Sequence, residues 1–266
     1  MTKRQRESSK HVTKRGFSLV EMAIVLAIIG VIVGGVITGQ NLLRKSEVNE
    51  AVVQKEKYVS AIQQFRSQYG ALPGDMRKAT KYWGTDPDGC PTHTNRVLKK
   101  ETCNGNGDGM MRGTDELFRV WQQLANAGLL LEEAFTGVAG AGGASDSVSG
   151  VNSPRGTVDG SAWVAFWPGA TDGTISSANF YLNLNYKHIL MMGGTDGTGV
   201  PSQSVFTVRE AYGIDEKYDD GLSYNGSIIA GRHQGCTTAA DENDMPNTYD
   251  FDQLGEQCVP IYRDAF

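Results

Sequence analysis

The chain has 266 residues and a formal charge of −5, with 25 basic against 30 acidic side chains, 33 glycines and four cysteines. That acidic balance argues against a general nucleic-acid binder, and no nucleic-acid partner is expected. No Gly-x-Ser-x-Gly, His-Glu-x-x-His or phosphate-binding loop occurs, and no Ser, His and Asp set stands out from the loop residues, so the chain is not expected to be an enzyme.

Residues 1–16 are polar and basic, holding Lys3, Arg4, Arg6, Lys10, Lys14 and Arg15 against Glu7; without them the formal charge falls from −5 to about −10. An ordinary secretory signal has its apolar region before the cleavage site. Here the apolar region comes afterwards. Met22 to Leu43 are 22 residues without a charge, which as a helix span about 33 Å, enough for a bilayer core of about 30 Å. The basic arm should stay cytoplasmic and send the rest of the chain across the membrane. Glu21 stands at the edge of the apolar run, where an unpaired charge is costly.

The stretch Lys14-Arg15-Gly16-Phe17-Ser18-Leu19-Val20-Glu21-Met22 resembles the signal of type IV prepilins and type II secretion pseudopilins. The resemblance is strong from Met1 to about Asp75. It implies that a prepilin peptidase cuts between Gly16 and Phe17 and methylates the new N-terminus at Phe17. It also implies that Glu21 pairs with the N-terminal amine of a neighbouring subunit during assembly. The implied partners are other pilins or copies of itself through the N-terminal helix, inner-membrane lipid, and indirectly an assembly platform and ATPase. The implied location is the inner membrane, single-pass with a cytoplasmic N-terminus, and then a periplasmic or cell-surface filament. The alternative is a membrane-anchored extracytoplasmic adhesin or calcium-binding module that does not polymerise.

Gly30, Gly34, Gly35 and Gly39 form two small-xxx-small spacings, suited to close helix approach. Thr38 stands where many pilins have a helix-breaking proline. Val48, Val52, Val59, Ile62, Phe65 and Tyr69 then recur at helical spacing, with one turn missing at Lys55. The pattern predicts a helix over 17–70, transmembrane at about 22–43, then amphipathic until Gly70 and the turn at Leu72-Pro73-Gly74-Asp75. Residues 71–266 are expected to form the periplasmic or extracellular globular domain.

Cys90, Cys103, Cys236 and Cys258 would lie outside the cytoplasm, where disulfides form. Four cysteines allow three connectivities. Proximity in sequence favours Cys90–Cys103 and Cys236–Cys258, with zinc as the rival reading. Asn104, Asn106 and Asp108, with Gly109 after them and Asp115 eleven residues on from Asn104, follow the spacing of a calcium loop; an Asn-Gly/Asp-Gly turn is the plainer reading. No cofactor is required by this reading, and calcium is the one candidate.

Further along, Thr114 is expected to cap a core helix carrying Leu117, Phe118, Trp121, Leu124 and Ala125 up to Gly128. Residues 137–150 read as a mobile glycine-rich surface loop. Strand composition appears at 161–168 and at 179–186, and His188 to Met192 is a further candidate strand. Thr207 to Glu210 is a capping box opening a short helix. Asp215, Asp219 and Asp220 at its end are either metal ligands or turn formers. The stretch Ile214–Gly221 also resembles a segment of prepilin-like proteins. Ile228 to Ala230 is a late strand. The fold class expected is α+β: a long N-terminal helix, its outer half packed on an antiparallel sheet, pilin-like.

Overall fold

The computed structural model describes residues 18–90, 94–131, 133–168, 186–231, 233–240 and 244–266. Gly16 and Phe17 lie outside the described residues, as does the expected strand at 179–185. The chain divides into two compact units, Met1–Ser46 and Glu47–Phe266.

One helix, α1 (Leu19–Tyr69), runs through both units. In the first unit its Val, Leu and Ile side chains are exposed, and the glycines at 30, 34, 35 and 39 have nothing near them. The helix passes through these glycines unbroken, and Thr38 Oγ1 donates back to the Gly34 carbonyl at 3.0 Å. In the second unit α1 has a buried face made of Ala51, Val52, Tyr58, Val59, Ala61, Ile62 and Phe65. Tyr58 fills the turn that the apolar pattern leaves open at Lys55. The Lys55 ammonium itself lies over the Tyr262 ring, 5.4 Å from its centroid, so a charged side chain still covers apolar surface there.

That face packs on an antiparallel sheet. Its strands are β1 (Ser161–Phe166), β2 (Ile189–Gly194), β3 (Phe206–Thr207), β4 (Ile228–Gly231) and β5 (Glu256–Arg263). The order is β1-β2-β5-β3, with β4 also paired to β5. The register places Trp163 opposite Met192, Leu190 opposite Tyr262 and Ile229 opposite Ile261. Alternate side chains point to opposite faces, and both faces are buried. Trp163, Ala165, Leu190, Met192 and Tyr262 share one core with α1. Val164, Phe166, Ile189, Met191, Ile229 and Ile261 form a second core with Leu117 and Phe118.

The predicted helix after Thr114 is two pieces, α3 (Thr114–Leu117) and α4 (Arg119–Asn126), and Gly113 rather than Thr114 occupies the N-cap position. Phe118 lies between them. The break lets Leu117 and Phe118 reach one face of the sheet while Trp121 and Leu124 join the α1 core; one straight short helix cannot present a single stripe to both. The short helix α2 (Ala79–Trp83) precedes the first disulfide loop. The capping box forms as read: Thr207 Oγ1 accepts from Glu210 N–H and Glu210 Oε2 from Thr207 N–H, opening α5 (Val208–Tyr218). A one-turn helix, α6 (His233–Cys236), leads to the second disulfide.

The glycine-rich stretch 137–150 is at the surface, exposed at 141–144, but it is anchored by buried residues. Val138, Asp146 and Ser147 are buried, and the chain wraps around the buried Asn152. Asn152 Nδ2 donates to the Val138 and Asp146 carbonyls (3.0 and 2.9 Å), and its Oδ1 accepts from Val148 N–H (2.7 Å). Gly142 is required here by close approach, because a Cβ would stand 1.5 Å from the Gly197 carbonyl oxygen.

Both expected disulfides are present, Cys90–Cys103 and Cys236–Cys258, and there is no free cysteine among the described residues. The first is tied to α4 by charge. Fully buried Arg119 donates to Asp86 Oδ2 (2.9 Å), Gln122 Oε1 (2.9 Å) and Cys103 Sγ (3.2 Å). Asp86 Oδ1 takes Lys99 at 2.8 Å. Removing one partner of a buried pair strands the other charge. Asp86→Ala is therefore expected to cost about 3–5 kcal/mol, read from guanidinium unfolding of the full chain in detergent with Trp121 and Trp163 fluorescence. The double variant Asp86→Ala/Arg119→Met should recover most of that loss.

Candidate processing and assembly site

The first turn of α1 contains more local chemistry than its apolar composition suggests. The first N–H groups of a helix have no intrahelical acceptor. Ser18 N–H donates to Glu21 Oε2 at 2.8 Å, and Ser18 Oγ accepts from Val20 N–H at 3.3 Å. Ser18-x-x-Glu21 is thus a capping arrangement, with the carboxylate also placed favourably at the positive end of the helix dipole. The sequence signal for this local use of Glu21 is the serine three residues before it. Glu21 is exposed, and its Oε1 accepts no hydrogen bond among the described residues. No other described helix is long and apolar enough to cross a membrane.

The calcium-spaced loop is folded by protein groups. Asn104 Oδ1 accepts from Thr80 N–H (3.0 Å), Asn106 Oδ1 from Asp108 N–H (2.8 Å) and Asp108 Oδ1 from Met110 N–H (2.9 Å). Arg112 pairs with Asp108 Oδ2 at 3.2 Å. Asp115 makes no hydrogen bond to that loop among the described residues. The calcium reading rests on sequence spacing alone. Two carboxylates outside that spacing brace the loop. Buried Asp75 accepts from the N–H groups of Asp108 (3.1 Å) and Gly109 (2.9 Å), and buried Glu116 from those of Asn106 and Arg112 (3.0 Å each). Burial pushes the Asp75 carboxyl up, and the Glu116 carboxyl up to about 7.

Asp215, Asp219 and Asp220 bring their oxygens within 4.8 Å of one another, and each is engaged in the turn that ends α5. Asp215 accepts from Gly221 N–H (3.1 Å) and Tyr249 Oη–H (2.8 Å), Asp219 from Ile228 N–H (2.8 Å), and Asp220 from Leu222 N–H (2.9 Å) and Asn225 Nδ2 (2.7 Å). Burial raises the Asp215 carboxyl to about 6. This arrangement closes the helix and ties it to β4.

Glu116 gives a signed pH dependence. The folded chain keeps its proton to about pH 7, whereas an unfolded glutamate loses it near 4.3 or so. The stability this proton contributes is present at low pH and lost as pH rises through that window. Asp215 acts in the same direction. His188 opposes them, because burial lowers it to about 4. The Glu116 part is isolated by difference: the stability of the wild type relative to Glu116→Gln should fall as pH rises from about 4.5 to 7, measured by denaturant titrations across that range. A difference that is flat with pH would contradict the assignment.

Residues 13–37 match the family model described as the prokaryotic N-terminal methylation motif. No curated protein and no solved structure matches the chain. The matched segment contains Gly16, Phe17 and Glu21 and runs from the basic leader into the exposed apolar part of α1. The chain therefore carries, at residues 13–37, the prepilin-type cleavage and methylation signal of type IV pilins and pseudopilins.

Proposed function

We propose that this chain is a subunit of a pilus or a secretion pseudopilus. The single observation that carries the reading is positional. The methylation motif at 13–37 is in register with a helix that begins at Leu19, carries Glu21 in its first turn and exposes apolar side chains beyond it. In this reading the peptidase removes residues 1–16, which hold the N-terminus on the cytoplasmic side, and methylates Phe17. The mature helix waits in the inner membrane and is then drawn out beside the same helix of other subunits, where Gly30, Gly34, Gly35 and Gly39 provide room. Glu21 Oε1 is left to accept the amine of Phe17 from a neighbour. Such a pair in an apolar bundle adds little net stability, but leaving the carboxylate unpaired is heavily penalised, so it selects the axial register. Residues 47–266 coat the filament.

A membrane-anchored module that does not polymerise is the second reading. One observation favours it: Glu21 already has a use in its own helix, as the acceptor of Ser18 N–H. Glu21→Gln separates the two. Glutamine retains the capping acceptor and removes the charge. For a filament subunit we expect incorporation into sheared filaments to be abolished while processing and membrane levels persist. Absence of the wild-type chain itself from the sheared filaments, with both wild type and variant kept in the membrane, would instead support the anchored module.

A further inference from the structure

The second unit contains a cavity that neither processing nor helix assembly uses. It measures about 700 Å³, within the range of small-molecule sites, and opens beside the C-terminal end of α1. Arg66, Arg77 and Lys78 stand around it, together with Tyr82 and His188. None of these three cations has an ion pair among the described residues. Asp75 also lines the cavity, but both of its oxygens are occupied by the Asp108 and Gly109 N–H groups. Three cations therefore line the space against one carboxylate.

The wall is built rather than incidental. Arg77 Nε donates to the Asn106 carbonyl at 2.6 Å. Its side chain lies over Gly107, which has φ +68° and where a Cβ would stand 2.3 Å from that nitrogen. The guanidinium is thereby oriented, and its two terminal nitrogens keep their donors. His188 is only 9% exposed. Its ring is held between Trp167 and Phe266, at centroid distances of 4.9 and 5.5 Å. Nε2 accepts from Met111 N–H at 3.3 Å, so the proton of the neutral ring is on Nδ1. Nδ1–H has no hydrogen-bond partner among the described residues and is free to donate to an acceptor. Tyr82 is 59% exposed although its ring lies 5.1 Å from Tyr69 and 5.8 Å from Trp83, so much of its surface is open to a ligand.

We propose that this cavity binds a small ring-bearing anion, a sugar carrying a carboxylate or a phosphate. Arg66, Arg77 and Lys78 hold the anionic group, the ring lies on Tyr82, and His188 Nδ1–H donates to a ligand oxygen. Fixed guanidinium donors suit planar or tetrahedral oxyanions. An aromatic face suits the apolar side of a saccharide ring. The inference does not depend on whether the chain polymerises.

The test is titration of the full-length protein in detergent with glucuronate, glucose 6-phosphate and glucose, by calorimetry and saturation-transfer NMR. Saturable binding of at least one of the two anions is expected, with none for glucose; the tighter anion identifies carboxylate or phosphate as the recognised group. Arg77→Gln/Lys78→Gln removes two of the three cations and should weaken that binding about tenfold or more, since the loss of a single charge-assisted hydrogen bond already reaches about tenfold, and Tyr82→Ala should weaken it as well. Lys78→Gln alone changes an exposed side chain and serves as the variant least able to disturb the fold, with a several-fold loss expected. Absence of saturable binding by both anions, equal binding of glucose, or affinities unchanged in the double variant would overturn the proposal.

Discussion

Tyr58 stands edge-on to two tryptophans, Trp121 of α4 at 5.2 Å and Trp163 of β1 at 5.6 Å. Gln54, one turn earlier on α1, accepts from Trp163 Nε1–H at 2.7 Å. This is the contact through which the long helix becomes part of a folded domain. Each aromatic pair adds about 0.5–1.5 kcal/mol beyond the area it buries, and the hydrogen bond satisfies an indole that would otherwise be costly to bury. Tyr58, Ile62 and Phe65 lie along one side of α1, and the sheet supplies the opposing wall. The remaining elements complete that core or cover the sheet's other face, with Leu117 and Phe118 brought there by the break before α4.

The same helix has a second environment to satisfy. Over its first unit the exposed side chains are Leu, Ile, Val and Met, each worth about 1.5–3 kcal/mol when fully buried. A helix apolar on all sides belongs in lipid or among other helices. Glu21 and Ser18 finish its N-terminus, so the carboxylate has a local structural role as well as the intersubunit one proposed for it. The bond from Ser18 uses Oε2 and leaves Oε1 for a second acceptor role, so the two roles are compatible in one side chain.

The features legible in the sequence were those encoded locally. The charge-free run after a basic leader, the capping box at Thr207, the end of α1 near Gly70 and both disulfide pairings each depend on residues close together in the chain. What sequence reading missed depends on partners distant in sequence. Tyr58 lies outside the apolar spacing of α1, and only Trp121 and Trp163 give it its place in the core. The stretch 137–150 has the composition of a linker, and only Asn152 and Gly197 make it a packed loop. Asp75 and Glu116 brace the loop at 104–109, while the spacing rule pointed to the loop's own oxygens. The split at Phe118 follows from two separate cores competing for one short segment. At the N-terminus the opposite holds: the Ser-x-x-Glu pattern at Ser18 was visible, but the interest of Glu21 as a membrane charge masked its plainer capping function.

The central claim is that residues 1–16 are removed and the apolar helix is kept. Intact mass with N-terminal sequencing of the protein from its native host tests it directly. The account predicts a chain that begins at Phe17, one methyl group heavier than its sequence and four hydrogens lighter for the two closed disulfides. A chain that still begins at Met1, or one cut beyond the apolar run, would contradict it.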